Sequence, residues 1–352
     1  LPQHHQPRGH PLTPFFLYFV EAGPTDIQAM LRQILCVSLL VASADAFGMS
    51  ASMGLGLRSV KGPAPAGRQS SRAAGALQMM GDTPLRTIEL KNAKGHTATV
   101  YPFGGCVSSY KAPHEVLFIR PDAKLDGSKP ISGGVPHCFP QFGPGEIQQH
   151  GFARNLVWDV RDVRSDEPDM PQVVMTLRDN DETMAMWPNK FECTYTVSLE
   201  DDQMDLELVV KNTDKKEWDF QAALHTYFHV GDIDKAKVTG KFKGATYLDK
   251  MQDPPKEVKE TREAVVFDKE VDSVYSGVSG EVALVDTVNE DKTTTLRNLK
   301  GWADTVLWSP YGNDGMGYKN FACVESAAVT PKTLKPGESW SALCSIIPGP
   351  AK

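Results

Sequence analysis

With 352 residues, 41% of them hydrophobic and 23% charged, the chain can fill a core and lacks the composition of a disordered polymer. Its net charge of -7 is uneven: residues 1–80 hold six basic against three acidic side chains, which leaves -10 on the remainder. An acidic body disfavours a nucleic-acid backbone or an anionic membrane as partner, but a small anion stays open wherever a few cations gather.

The chain opens on Leu1, and its first methionine is Met30. From Met30 the sequence MLRQILCVSLLVASADAFG has one arginine, an apolar run over Ile34 to Ala42 and an A-x-A triplet at Ala44, Asp45 and Ala46. That is signal-peptide grammar, and the apolar run is too short to span a bilayer. Residues 49–80 follow with Arg58, Lys61, Arg68 and Arg72, no acidic residue and much Ser, Ala and Gly, which is transit-peptide composition. Residues 1–80 are therefore expected to be a two-part leader for plastid delivery, with translation starting at Met30. Secretion, or a cytosolic protein with a disordered N-terminus, is the alternative. Residues 81–352 are expected to form one domain. Of the six cysteines, five lie beyond residue 80 without tight spacing, which fits a reducing compartment rather than a disulfide framework.

Beyond residue 80 the pattern is one of short strands. In chain order, strands are predicted over Thr97 to Tyr101, Val107 to Tyr110, Val116 to Ile119, Leu156 to Val163 and Val173 to Leu177. Phe191 to Leu199 and Met204 to Leu208 alternate apolar with polar residues around the turn Glu200-Asp201-Asp202-Gln203, the signature of a hairpin. Trp218 to Val230, Ala264 to Phe267, Val282 to Val285, Thr293 to Leu299 and Ser341 to Ile347 continue the series. Long amphipathic helices are missing, so the fold class is all-β, a large sandwich of antiparallel sheets. Residues 127–145 hold too much Gly and Pro for a regular element and predict a shaped loop.

Read as one strand, Trp218 to Val230 turns Trp218, Phe220, Ala222, Leu224 and Phe228 to the core, and His225, Tyr227 and His229 to the other side. A histidine in mid-strand is either a satisfied structural group or a working one. Glu325 interrupts an apolar segment and is a general base if buried beside a substrate, or an arginine's partner if not. His150, Gly151 and Arg154 suit a loop that donates hydrogen bonds to hydroxyls or an anion, with a plain salt bridge for Arg154 as the alternative. Asp304, between Trp302 and Trp308, is a sugar ligand or a turn cap. No dinucleotide fingerprint, P-loop, HExxH or GxSxG is present, and the histidine spacing does not call for a metal.

Seven stretches resemble the aldose 1-epimerase superfamily, and more closely its hexose-6-phosphate mutarotase branch. They are DGSKPISGGVPHCFPQFG at 126–143, QHGFAR at 149–154, ALHTYFHVGDI at 223–233, DKEVDSVY at 268–275, ADTVLWSPY at 303–311, CVESAAV at 323–329 and LKPGESW at 334–340. The resemblance implies a galactose-mutarotase-like β-sandwich with a sugar or sugar phosphate on one sheet face, and neither metal nor cofactor. It implies interconversion of hexose 6-phosphate anomers, with action on free hexoses or a non-catalytic carbohydrate-binding role as alternatives. It assigns His225 as general acid, Glu325 as general base, His150 and Asp304 to the sugar, Arg154 to the phosphate, and places Gln149 with them. One position departs: Ser132 stands where the family usually has an arginine for the phosphate, which weakens the charged, bidentate grip. Nothing calls for an oligomer, and a monomer is expected.

Overall fold

A computed structural model describes residues 85–350 except 166, 168 and 289–291. The expected leader lies outside the described residues, which belong to one compact unit. They form antiparallel sheets of three, eight and nine strands, and the six-residue Asp181–Met186 is their only α-helix. No helix among them is long and apolar enough to cross a membrane.

The nine-stranded sheet is built around the predicted hairpin. Phe191–Glu200 pairs with Gln203–Asn212 in unbroken register from Phe191 opposite Asn212 to Glu200 opposite Gln203. Phe191, Cys193, Tyr195, Val197 and Leu199 are buried as their alternation requires, and Gln203–Asn212 pairs in turn with Ser339–Pro350. The eight-stranded sheet runs through Val271–Tyr275, Asp304–Ser309, Phe321–Leu334 and Trp218–Leu224 to the two-residue strand His137–Cys138. Inner faces of both large sheets meet in one core: Tyr195, Leu206 and Ile346 come from one side, and Leu224, Phe228, Leu307 and Val324 from the other. Ile88, Val100 and Tyr110 of the three-stranded sheet join it. The sandwich architecture is as the sequence predicts.

Two predicted strands come out differently. Val116 to Ile119 makes only single bridges, Leu117 to Phe228 and Ile119 to Gly133, because it is wedged between two partners instead of running along one. Trp218 to Val230 breaks into Trp218–Leu224 and Tyr227–His229. The predicted loop over 127–145 is mostly irregular, and its glycines allow backbone to lie on backbone. Gly134 has φ +66°, and a Cβ there would stand 2.1 Å from the Val107 carbonyl oxygen. Beyond the loop, Gly151, at φ +70°, would clash in the same way with Phe139.

His137, on this loop, is a core histidine. It is fully buried, stacked on Trp158 at 4.8 Å and edge-on to Tyr195 at 4.3 Å. Burial lowers its pKa to about 3. The unfolded chain therefore takes up a proton near the ordinary value of about 6.5 that the folded protein refuses, and stability falls as pH drops from there towards 3. His137→Phe is expected to remove this slope, so that its unfolding free energy drops about 2 kcal/mol less than wild type's between pH 6.5 and 5. Urea titrations at the two pH values measure it, and parallel losses in both proteins would contradict a buried neutral imidazole.

Candidate active site

The outer face of the eight-stranded sheet carries the polar residues. Phe321–Leu334 alternates: Ala322, Val324 and Ala328 enter the main core, while Phe321, Cys323, Glu325 and Ala327 face the other way. Its register with the neighbouring chain is Ser326 opposite Leu224 and Cys323 opposite Tyr227. The break at His225 and Thr226 therefore leaves the register unshifted, and Glu325 stands directly across from His225. Rows of side chains cross the sheet here. One row is Val274, Val306, Glu325 and His225; the next is Asp272, Trp308, Cys323 and Tyr227.

His225 Nδ1 lies 3.3 Å from Glu325 Oε1, with the two side chains 10% and 1% exposed. The contact lacks hydrogen-bond alignment: His225 Nδ1 and Glu325 Oε2 are both buried without a partner. Arg154 Nε is a third such atom. Buried polar atoms are normally satisfied, so three unsatisfied ones around one spot mark a place prepared for a polar ligand.

Electrostatics push the pair towards sharing a proton. Burial, reinforced by His150 and Arg154, holds the His225 pKa well below the usual imidazole range. Burial, reinforced by the Asp272 carboxylate and opposed by Lys250 and Arg154, raises that of Glu325 well above the carboxylate range. Each shift disfavours the charged form, so burial favours a neutral imidazole beside a protonated Glu325, and the imidazolium–carboxylate form that exchanges protons with a sugar is the costlier one until substrate fills the site.

The loop over 138–154 closes one flank. His150 is the one non-glycine residue with positive φ among the described residues, at 65°. Its Nδ1 accepts from the Gly143 N–H at 3.2 Å, and its own N–H donates to the Gly143 carbonyl at 2.9 Å. The Cys138 thiol is 3.2 Å from the same Nδ1, which places the imidazole proton on Nε2. Burial, helped by Arg154 and Lys250, lowers the His150 pKa to about 3 and keeps the ring neutral. The His150 and His225 rings meet edge to face at 5.5 Å. A strained histidine held this firmly beside an unsatisfied acid–base pair is the mark of a ligand contact. Arg154 Nη2 donates to the Gln149 carbonyl at 2.8 Å, and Gln149 Nε2 is 3.4 Å from His150 Nε2.

His225, Glu325, His150, Arg154 and Gln149 are thus brought together. Ser132 lies one strand away, half-buried, its carbonyl accepting from the Arg120 N–H at 3.0 Å. Asp304 caps: its two carboxylate oxygens accept from the Gly277 and Val329 N–H groups at 2.9 and 2.8 Å. The acidic group that faces the pair is Asp272, paired with Lys250 at 3.0 Å. Sequence reasoning passed over Asp272 and Lys250. The signal available was Asp272 interrupting Val271, Ser273, Val274 and Tyr275, the same kind of interruption that drew attention to Glu325. Tyr227 stacks on His225 at 4.9 Å and Trp308 meets it edge-on at 5.7 Å, which gives the site an aromatic wall suited to sugar C–H faces.

The family model for aldose 1-epimerases matches residues 86–346. A protein named "Putative glucose-6-phosphate 1-epimerase" from Cenchrus ciliaris is 36% identical over 279 residues, 73% of this chain and 82% of that protein. One of the same name from Escherichia coli (strain K12) is 33% identical over 226 residues, 60% of this chain and 72% of that protein. Among solved structures, one described as "a putative mutarotase" from Salmonella typhimurium superposes with a TM-score of 0.68 at 26% identity, covering 76% of this chain and 92% of its own. The sheet face, the acid–base pair and the aromatic wall define a sugar-binding β-sandwich of the galactose-mutarotase type. The chain belongs to the aldose 1-epimerase family, whose members are mutarotases.

Proposed function

We propose that this chain interconverts the α and β anomers of a hexose 6-phosphate, glucose 6-phosphate foremost. The supporting observation is the His225–Glu325 pair, buried and incompletely hydrogen-bonded, with Arg154 and Lys250 acting on it and Arg120 beside the adjoining Tyr227, on a domain that is otherwise acidic. Likeness to the two relatives named for glucose 6-phosphate adds the substrate class.

In the reaction Glu325 takes the proton of the C1 hydroxyl while His225 gives one to the ring oxygen. The C1–O5 bond breaks, C1 becomes an aldehyde and O5 a hydroxyl. Rotation about C1–C2 presents the other carbonyl face, and closure returns both protons. The pair holds one exchangeable proton before and after, so the same two groups serve both directions. His150 donates from Nε2 to a sugar hydroxyl, Arg154 and Gln149 bind beside it, and Asp304 acts indirectly by fixing the loops at Gly277 and Val329.

The test is anomer exchange followed by NMR, with glucose 6-phosphate and glucose compared side by side. Faster exchange of the phosphate supports the proposal. Equal or greater activity on glucose identifies a free-hexose enzyme, the outcome that Ser132 favours, and no exchange of either sugar leaves a carbohydrate-binding protein. From the leader alone we infer plastid delivery. A fluorescent fusion of residues 30–80 that remains cytosolic rejects it.

A further inference from the structure

We propose that Arg120 reads the phosphate of the substrate, filling from position 120 the space that an arginine at 132 would occupy. This rests on the hexose-phosphate reading above and adds the residue that determines it.

The backbone sets the geometry. Ile119 bridges Gly133 in antiparallel sense, and the Arg120 N–H donates to the Ser132 carbonyl at 3.0 Å. Arg120 and Ser132 are therefore opposite one another, and directly opposed residues carry their side chains on the same face, with Cβ atoms about 5 Å apart. A long cationic side chain on either backbone serves the same region. Here the arginine is at 120 and the short hydroxyl at 132.

The side chain is largely buried, 13% exposed, two residues along from Phe118, which packs against the Tyr227, Phe321 and Cys323 cluster on that side of the sheet. Its Nε and Nη2 donate to the Asp122 carboxylate at 2.9 and 2.5 Å, and the guanidinium also lies within hydrogen-bonding reach of the Tyr227 hydroxyl. Guanidinium offers five N–H donors, so Asp122 and Tyr227 leave two for an anion. Asp122 orients the fork, and a phosphate takes the two N–H groups that Asp122 and Tyr227 leave.

Position along the sheet separates Arg120 from the other cations. The charges of Lys250 and Arg154 act on His225 and Glu325 themselves, the anomeric end of the site. The charge of Arg120 acts instead on Tyr227 and Cys323, the adjoining row. Rows two residues apart are separated by roughly 7 Å along a strand. A 6-phosphate projects past the pyranose ring, away from the C1 hydroxyl, and so into the row that Arg120 serves.

The experiment is the ratio of kcat/KM for glucose 6-phosphate to that for glucose, measured by NMR exchange. Arg120→Gln is expected to lower this ratio about 10- to 100-fold, and inorganic phosphate should become a weaker inhibitor of glucose exchange by a similar factor. Arg120→Lys keeps a point charge but loses the fork, and is expected to fall between wild type and Arg120→Gln; it also carries the test if Arg120→Gln does not fold. The double exchange Arg120→Ser with Ser132→Arg should recover most of the ratio. A wild-type preference for glucose 6-phosphate that survives Arg120→Gln or Arg120→Lys intact overturns this inference alone. A double variant as unselective as the single one overturns the shared position. A wild type without phosphate preference overturns the hexose-phosphate reading, and this inference with it.

Discussion

Glu325→Gln is expected to slow anomer exchange by about 100-fold or more while leaving the sheet intact. Glutamine keeps the shape of the side chain on Phe321–Leu334 and removes only the ability to take a proton from the C1 hydroxyl. The same substitution should change stability in a direction that a merely structural carboxylate would not. Burial raises the Glu325 pKa well above its ordinary value of about 4.3. As pH rises past that ordinary value, the unfolded chain gives up the proton while the folded protein keeps it, so folding becomes less favourable until the folded pKa is passed. Within that window wild type loses about 1.4 kcal/mol per pH unit that the glutamine variant does not lose. The melting temperature of Glu325→Gln should therefore gain on wild type as pH increases, then level off. A difference that stays flat with pH contradicts the raised pKa, and a purified variant with near-normal exchange removes Glu325 from the role of base.

How far such a site can be seen in advance depends on where each residue sits in its sheet. Phe191–Glu200 and Gln203–Asn212 alternate apolar with polar side chains along much of their length, so period two locates both and the turn between them. The strands that hold the chemistry are covered on both faces. Asp304–Ser309 is buried at five of its six residues, and Phe321–Leu334 is buried continuously from Phe321 to Ala328. Such stretches read as apolar runs without a period, and Glu325 stood out as an interruption rather than as a position on a face. His225 was placed on the correct face because alternation from Trp218 survives the chain break at Thr226. Its meeting with Glu325 is a matter of register between chain segments a hundred residues apart, which local pattern does not encode; only the resemblance joined the two. Asp272 and Lys250 escaped because their pairing is also a matter of register, set by Thr246–Asp249 lying beside Val271–Tyr275.

His225→Ala is expected to cost about 100-fold or more in exchange rate, and the pH profile of wild type should show why. The working form of the pair carries one proton. Below the first macroscopic pKa both groups are protonated and no base remains; above the second, neither is and no acid remains. Were His225 and Glu325 ordinary, the plateau would end on its alkaline side near about 6.5, where a free imidazolium loses its proton. Here burial lowers His225 and raises Glu325, so the free pair does not titrate as an ordinary carboxylate beside an ordinary imidazole. The two limbs of kcat/KM, which report the free enzyme, should therefore stand away from the ordinary values of about 4.3 and 6.5. In Glu325→Gln the limb that Glu325 contributes should disappear, and the residual activity should fall as pH rises through the lowered His225 pKa, because the imidazolium is the acid that remains. A wild-type profile with its limbs at those ordinary values would mean that the free site already holds an imidazolium beside a carboxylate, against the shifts that burial imposes.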